Sequence, residues 1–261
     1  MNDSIVGRPG RLHQSTLQLK RGKVYAQVMV FSDLHWGHPQ CDEEKARDYL
    51  NWALKNGVYV LCLGDMIEAG LTTSIGDSVY QQRLNPQAQM EAVVELLSPL
   101  AKAGLIIGYY EGNHENRIKK VTSIDVGKLT ANLLGVKYCG YASWHLLRVG
   151  SQKYTMYATH GFGGSKFRHT KMKTAMDLAH WISADAILFG HLHSLASEVL
   201  IQQSVDKRNR TIVNKECHVV MTGSYLQWAK SYAEQHGYPI NKLGSPTMKL
   251  MANHHSISVS L

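Results

Sequence analysis

Cysteine is scarce in this chain and its apolar runs are short. The four cysteines, Cys41, Cys62, Cys139 and Cys217, are widely scattered and form no CxxC pair. Their spacing excludes a zinc ribbon, and in a chain of 261 residues it argues against a disulfide framework. The longest apolar runs are of strand length, Val58–Leu63 among them, so no membrane-spanning helix and no membrane partner are expected. No apolar stretch follows the polar and basic residues Asn2, Asp3, Arg8 and Arg11, so a secretory leader is not expected either. Internal repeats and low-complexity tracts are absent. These absences together point to a reducing cytoplasm.

What is present is an ordinary globular composition with an unusual histidine content. Hydrophobic residues make up 44%, enough for a sizeable core. The formal net charge is +8, a balance that favours anionic partners, nucleic acid included. There are 14 histidines, and their placement carries more than their number.

Residues 1–22 are polar, basic and punctuated by glycine and proline, and read as a loose N-terminal arm; 23–261 read as a single domain. Val24–Phe31 predicts a buried strand. Asp42–Asn56 predicts a helix, with Asp42 at its start and Gly57 past its end. Val58–Leu63 is the next strand, residues 70–86 are irregular, and Pro86 opens a helix to about Ala103. A third strand spans Leu105–Tyr110, and mixed helix follows around 121–134. Residues 144–159 predict a hairpin turning at Gly150–Ser151, and 170–183 a helix before the strand Ala186–Phe189. Residues 195–222 are β-rich around a charged turn at Asp206–Arg210. The tail is least readable. Strands alternating with helices, then a β-rich second half, imply one α/β domain with a mixed sheet or two packed sheets.

Five short motifs follow apolar strands: Asp33-Leu-His35, Gly64-Asp65, Gly112-Asn113-His114-Glu115, His160-Gly161 and Gly190-His191-Leu-His193. Sites in open α/β sheets assemble at the carboxyl ends of strands, so these loops can converge. Asp, His and Asn supply oxygen and nitrogen ligands for hard-to-borderline divalent metals. Asp33 and His35, two apart, can face one ion from one loop, and His191 and His193 can serve one ion each. His13, His145, His180, His218, His236, His254 and His255 have no such context and read as ordinary.

In this order the motifs resemble the calcineurin-like metallophosphoesterase superfamily, whose pattern is DxH, GD, GNH[DE], H and GHxH. Each motif alone is weak; the ordered set is specific, and it covers about three-quarters of the chain. The resemblance implies a four-layer α/β/β/α sandwich with two mixed β-sheets flanked by helices. It implies two divalent metal ions, Mn²⁺ first, with Fe, Zn or Ni also admitted. Asp33, His35 and His193 would hold one ion, Asn113, His160 and His191 the other, and Asp65 would bridge them. His114 would protonate the leaving oxygen, and Glu115 would orient His114 or hold the loop. The reaction implied is hydrolysis of a phosphate ester by a hydroxide bridging the two ions.

The substrate is read from finer features. The first motif continues as Trp36-Gly37-His38, and this string resembles double-strand-break repair nucleases and related phosphodiesterases, with His38 touching substrate or a carboxylate behind the metals. The arginines of the protein-phosphatase patterns GDxxDRG and RGNHE are missing from Gly64–Gly70 and Glu111–Glu115. Basic clusters lie beside the motifs, at Arg117, Lys119 and Lys120, and at Lys166, Arg168, Lys171 and Lys173 with Phe167 and His169 interleaved. Such clusters can track a phosphate backbone, with Arg117, Lys166 and Arg168 as candidate contacts. The expectation is a nuclease acting on DNA. A small-molecule phosphatase or nucleotide hydrolase is the first alternative, and a catalytically inactive scaffold or polymerase accessory subunit the second. The tail from Thr222 to about Pro246 resembles metallophosphoesterases of phages and prophages, which implies a bacterial cell or phage-infected host; the alternative expectation is that this segment completes the sheet or forms a homodimer contact.

Overall fold

The computed structural model describes residues 11–72, 74 and 78–261. Its strands are β1 (Leu12–Leu17), β2 (Tyr25–Phe31), β3 (Tyr59–Cys62), β4 (Ile106–Tyr110), β5 (Tyr138–Gly140), β6 (Ala142–Val149), β7 (Gln152–Thr159), β8 (Ala186–Phe189), β9 (Ala196–Asp206), β10 (Thr211–Met221), β11 (Thr247–Met251) and β12 (Ile257–Ser260). Its helices are α1 (Glu43–Asn56), α2 (Ser78–Gln81), α3 (Pro86–Lys102), α4 (Asn113–Thr122), α5 (Val126–Leu134), α6 (Arg168–Asp177) and α7 (Tyr232–Gln235). The strands form two six-stranded mixed sheets, in the orders β1-β6-β7-β8-β10-β9 and β12-β11-β2-β3-β4-β5.

The sheets pack face to face with helices outside both. Strand β2 shows why its sequence is apolar on both faces. Val28 and Val30 point between the sheets, against Leu147, Tyr154, Met156 and Leu188. Met29 and Phe31 point the other way, onto the side covered by Leu50 and Ala53 of α1, Val93 and Leu97 of α3 and Ala131 of α5. On the second sheet, Ile187, Phe189, Val219 and Met221 pack against Ala175 of α6. This is the expected α/β/β/α sandwich. Local signals act where they were read: Asp42 caps α1 by accepting the Lys45 N–H, and Gly57 ends it in a left-handed turn. Asn85 caps α3 through the Ala88 N–H. Asp125 caps α5, which separates it from α4 where the sequence showed one mixed stretch.

Two expectations are corrected. Part of the supposed loose arm is an edge strand: β1 runs parallel to β6, with Leu12 opposite Trp144 and Leu17 opposite Val149. Its inner residue Leu17 is buried among Val149 and the second layer, an anchor that the polar composition of the stretch hides. Residues 1–10 of the arm lie outside the described residues. The helix expected over 170–183 instead spans Arg168–Asp177, with a single 3-10 turn at Leu178–His180. Among the described residues, no helix is long and apolar enough to cross a membrane.

Candidate metal centre

Parallel pairing brings the motif loops to one edge. Strands β2, β3 and β4 run parallel in one sheet, so Asp33, Asp65 and Asn113 leave from the same end. Strands β7 and β8 run parallel in the other, carrying His160, His191 and His193. Backbone bonds stitch the ends: the Asp33 N–H donates to Gly64 O (3.1 Å) and the His35 N–H to Asp65 O (3.0 Å). The glycines allow this contact. A Cβ on Gly112 would lie 2.1 Å from Asp65 Oδ1, and one on Gly190 would lie 2.7 Å from Ser32 Oγ.

The site is strained. Asp33 (φ 54°), His35 (53°), Asp65 (51°), His191 (65°) and His193 (50°) all adopt left-handed backbone conformations. Each costs roughly 1–3 kcal/mol for a residue with a Cβ, and such strain gathers at functional sites. Among the described residues, five of the nine non-glycine residues in this region belong to the expected ligand set.

Hydrogen bonds assign the donor and acceptor faces of the rings. His160 Nδ1 lies 2.8 Å from Leu63 O, and a carbonyl can only accept, so Nδ1 carries the proton. His191 Nε2 likewise donates to Gly163 O (2.9 Å). His35 Nδ1 contacts Glu68 Oε2 at 3.1 Å. The other nitrogens are left with lone pairs facing inward. His160 Nε2 then faces Asp65 Oδ2 (3.2 Å) and Asn113 Oδ1 (3.0 Å), and His35 Nε2 faces His193 Nε2 (3.1 Å). Asp33 Oδ2 is held by Ser32 Oγ (2.6 Å), the His191 N–H (3.1 Å) and Thr222 Oγ1 (3.2 Å). Its other oxygen, Oδ1, is buried without a hydrogen-bond partner and lies 3.1 Å from His193 Nε2. Acceptors facing acceptors in a buried place need a cation between them, and the donor chemistry fits divalent metals. Ligand atoms of Asp33, His35 and His193 come within 4.8 Å of one another, as do those of Asp65, His160 and His191. Asp65 stands between the groups: Oδ1 accepts the His114 N–H (2.9 Å), and Oδ2 lies 4.0 Å from His35 Nε2.

Electrostatics tell the same story. Burial raises a carboxyl, yet the coulombic pull of His193, 3.1 Å from Oδ1, outweighs it and holds Asp33 at about 2. Burial would lower His160, but the Asp65 carboxylate raises it to about 10. The acceptor cluster draws positive charge to this point.

His114 and Glu115 divide differently from their motif. Glu115, fully buried, accepts backbone N–H groups from Asp65 (3.1 Å), Met66 (2.7 Å), Ile67 (3.3 Å) and Gly112 (2.8 Å). It therefore holds the loops rather than orienting His114. Burial raises its carboxyl, with the Asp65 charge adding to the effect. His114 is oriented by Glu68: His114 Nδ1 donates to Glu68 O (2.6 Å), and Nε2 accepts from Arg117 Nη2 (2.9 Å). Burial lowers His114 to about 4, so the ring is neutral at pH 7 in this arrangement. Glu68 went unrecognised in the sequence. The signal was a carboxylate three residues after Asp65 in an apolar stretch. Its burial is outweighed by the His114 charge and the His35 hydrogen bond, which hold its carboxyl at about 2.

The remaining candidates separate. His38 and Arg117 line the cleft beside the ligand set, whose cavity is about 510 Å³. Lys166 and Arg168 do not: Lys166 Nζ donates to His236 O, and Arg168 Nη2 to Leu195 O (3.4 Å). Lys171 lines the cleft but is buried, donating to Leu192 O (2.7 Å), and Lys173 pairs with Asp177 (2.7 Å). This basic cluster holds its own fold together.

No known family description and no curated protein matches the chain. Among solved structures it is similar to the phosphoesterase YfcE of E. coli, at 17% identity and TM-score 0.45, covering 90% of this chain and 98% of that one. It is similar to Vps29 of Entamoeba histolytica complexed with Zn²⁺, at 12% identity and TM-score 0.37, covering 90% and 97%. A metallophosphoesterase from Sphaerobacter thermophilus shares 11% identity at TM-score 0.35, covering 89% and 87%. These likenesses are distant, and the chemistry of the site follows from its own residues.

Proposed function

We propose that this chain is a metal-dependent phosphoesterase of the calcineurin-like type, and that it hydrolyses phosphodiesters of nucleic acid. The observation that carries the reading is the inward convergence of buried acceptors, above all the unpartnered Asp33 Oδ1. In this reading Asp33, His35 and His193 would hold one divalent ion and Asn113, His160 and His191 a second, with Asp65 available to both. Bound there, two such ions would supply neutralisation of phosphoryl charge and a water acidic enough to ionise near neutral pH. Glu68, Leu63 O and Gly163 O fix the tautomers of His35, His160 and His191 so that lone pairs face the ions. For His114 to give a proton, Nε2 has to carry it, so substrate has to displace Arg117 from that nitrogen. The displaced guanidinium is then placed to hold a phosphoryl oxygen.

The modest number of cations lining the cleft, Arg117, Lys171 and Lys230 among the described residues, supports a diester over a monoester. Arg117 is the guanidinium at the cleft, and it already serves His114 and Glu68 O (3.2 Å). A diester carries one negative charge at the phosphate and needs less. A second reading, a small-molecule phosphatase or nucleotide hydrolase, is favoured by the modest cavity. The intact ligand set speaks against an inactive scaffold. The test is hydrolysis of a bis-aryl phosphodiester, an aryl monoester, nucleotides and single- and double-stranded DNA by Mn²⁺-loaded protein. Cleavage of the aryl diester with preference for an oligonucleotide over monoesters is expected. Inertness toward every nucleic acid would leave the second reading standing.

A further inference from the structure

The far wall of the cleft belongs to none of the motifs. Residues 224–243 supply Leu226, Trp228, Lys230 and Tyr238 to the lining of the same cavity as His114 and Arg117. The wall is rooted in the site itself: the Tyr225 N–H donates to Asp33 O (3.0 Å), and Tyr225 O accepts the Asp42 N–H (2.7 Å). Trp228 is fixed by its own Nε1, which donates to Tyr238 O (2.8 Å). The loop after His160 ties to the same wall. Lys166 Nζ donates to His236 O, and Lys166 and Lys171 lie 5.4 and 5.7 Å from the Tyr238 ring centre. The basic cluster thus joins the segment after His160 and the start of α6 to the 224–243 wall, and that wall shares one cavity with His114.

We propose that this wall makes the site selective for an unpaired nucleoside phosphodiester, held by Trp228 and Lys230, and excludes intact duplex. This rests on the phosphodiesterase reading above and names its substrate class. A cleft of about 510 Å³ is of small-ligand size, within the usual ~300–1,000 Å³. A duplex is a stiff rod whose stacked bases cannot turn toward a side wall; a flexible strand or a dinucleotide can place its phosphate at His114 and a base on the indole. An aromatic ring beside a cation is the usual means of holding unpaired strands, because every base offers a π-face whatever its sequence. The acceptable sources are a single-stranded end or a free dinucleotide.

Binding and turnover test this separately. In chelator, fluorescence anisotropy should show a labelled single strand of about six nucleotides binding at least ~10-fold more tightly than the same sequence in blunt duplex. Trp228→Ala should weaken single-strand binding about 10-fold and Trp228→Phe by less than about 3-fold, with circular dichroism unchanged. Lys230→Gln should lower the salt dependence of single-strand binding by roughly one ion. If Trp228→Ala does not fold, Trp228→Phe and Lys230→Gln carry the test. Equal or tighter duplex binding, or unaltered single-strand binding in Trp228→Ala, overturns the proposal. The Mn²⁺-loaded protein separates the two layers. Aryl diester cleavage without single-strand preference sinks this inference alone, whereas no aryl diester cleavage sinks the phosphodiesterase reading. Cleavage of overhanging duplex assigns the source to strand ends, and cleavage of dinucleotide alone assigns it to free dinucleotides; either supports the proposal.

Discussion

The two sides of the cleft are built in opposite ways. The motif side is five loops at the ends of parallel strands, buried, strained in backbone and held by many short bonds to carboxylates and carbonyls. The 224–243 side is an irregular segment around the single short helix α7, joined to the rest by a few bonds such as those of Tyr225, Gln227 and Lys166. The difference teaches where each function needs rigidity. Ligands of a metal ion must be placed to within fractions of an ångström, so their rings and carboxylates are fixed from behind. A wall that meets a flexible strand needs only a shape and a few contacts.

This contrast is broken or sharpened by substitution. The largest effect is expected from metal removal: chelation should abolish aryl diester hydrolysis, and Asp65→Ala should lose both turnover and metal, read by atomic emission. Activity surviving complete metal removal would end the comparison. Next, His114→Asn should lower kcat by about 10²–10⁴-fold while keeping the metals; loss of metal would make His114 a ligand. Glu115→Gln should then cost roughly 3 kcal/mol or more, read by denaturant unfolding, because the new amide faces backbone N–H groups that a carboxylate had satisfied.

A smaller effect tests a histidine outside both sides. His145, wholly buried beneath the site, is lowered to about 3 by burial, with His13 and Lys137 adding repulsion. The native ring stays neutral while the unfolded one takes up a proton near its ordinary value of 6.5. Stability is therefore full above that pH and falls as pH drops toward 3, by roughly 3 kcal/mol at pH 4. His145→Phe should flatten this acid slope in unfolding curves taken across the window; an unchanged slope would mean that another group carries it. The smallest effect belongs to Lys173→Ala, about 0.5 kcal/mol or less, since its ion pair with Asp177 is an exposed helical one. A marked loss of oligonucleotide binding in that variant would return the basic cluster to a substrate track.

Much of the motif side was legible because its signals are local. Apolar runs marked β2, β3, β4 and β8, glycines marked the turns, and Asp, His and Asn after each strand named the candidate donors. Asp42, Asn85 and Gly57 act within a few residues of where they stand. The edge strand β1 escaped notice because one buried leucine in a polar stretch is too small a pattern, and its partner lies in β6. The job of Glu115 was open because its four donors come from two separate loops.

By itself, the sequence determined the candidate donor set, the order of the strands that carry it and the absence of phosphatase arginines, since each is a matter of residue type beside an apolar run. Only the tertiary structure decided which ring nitrogens face inward, that Glu68 stands behind His35 and His114, that Lys166 and Lys171 are spent on the protein itself, and that 224–243 forms a wall. Each of these depends on contacts between distant residues, such as Lys166 with His236 or Thr222 with Asp33. Local periodicity carries no trace of a partner so far along the chain.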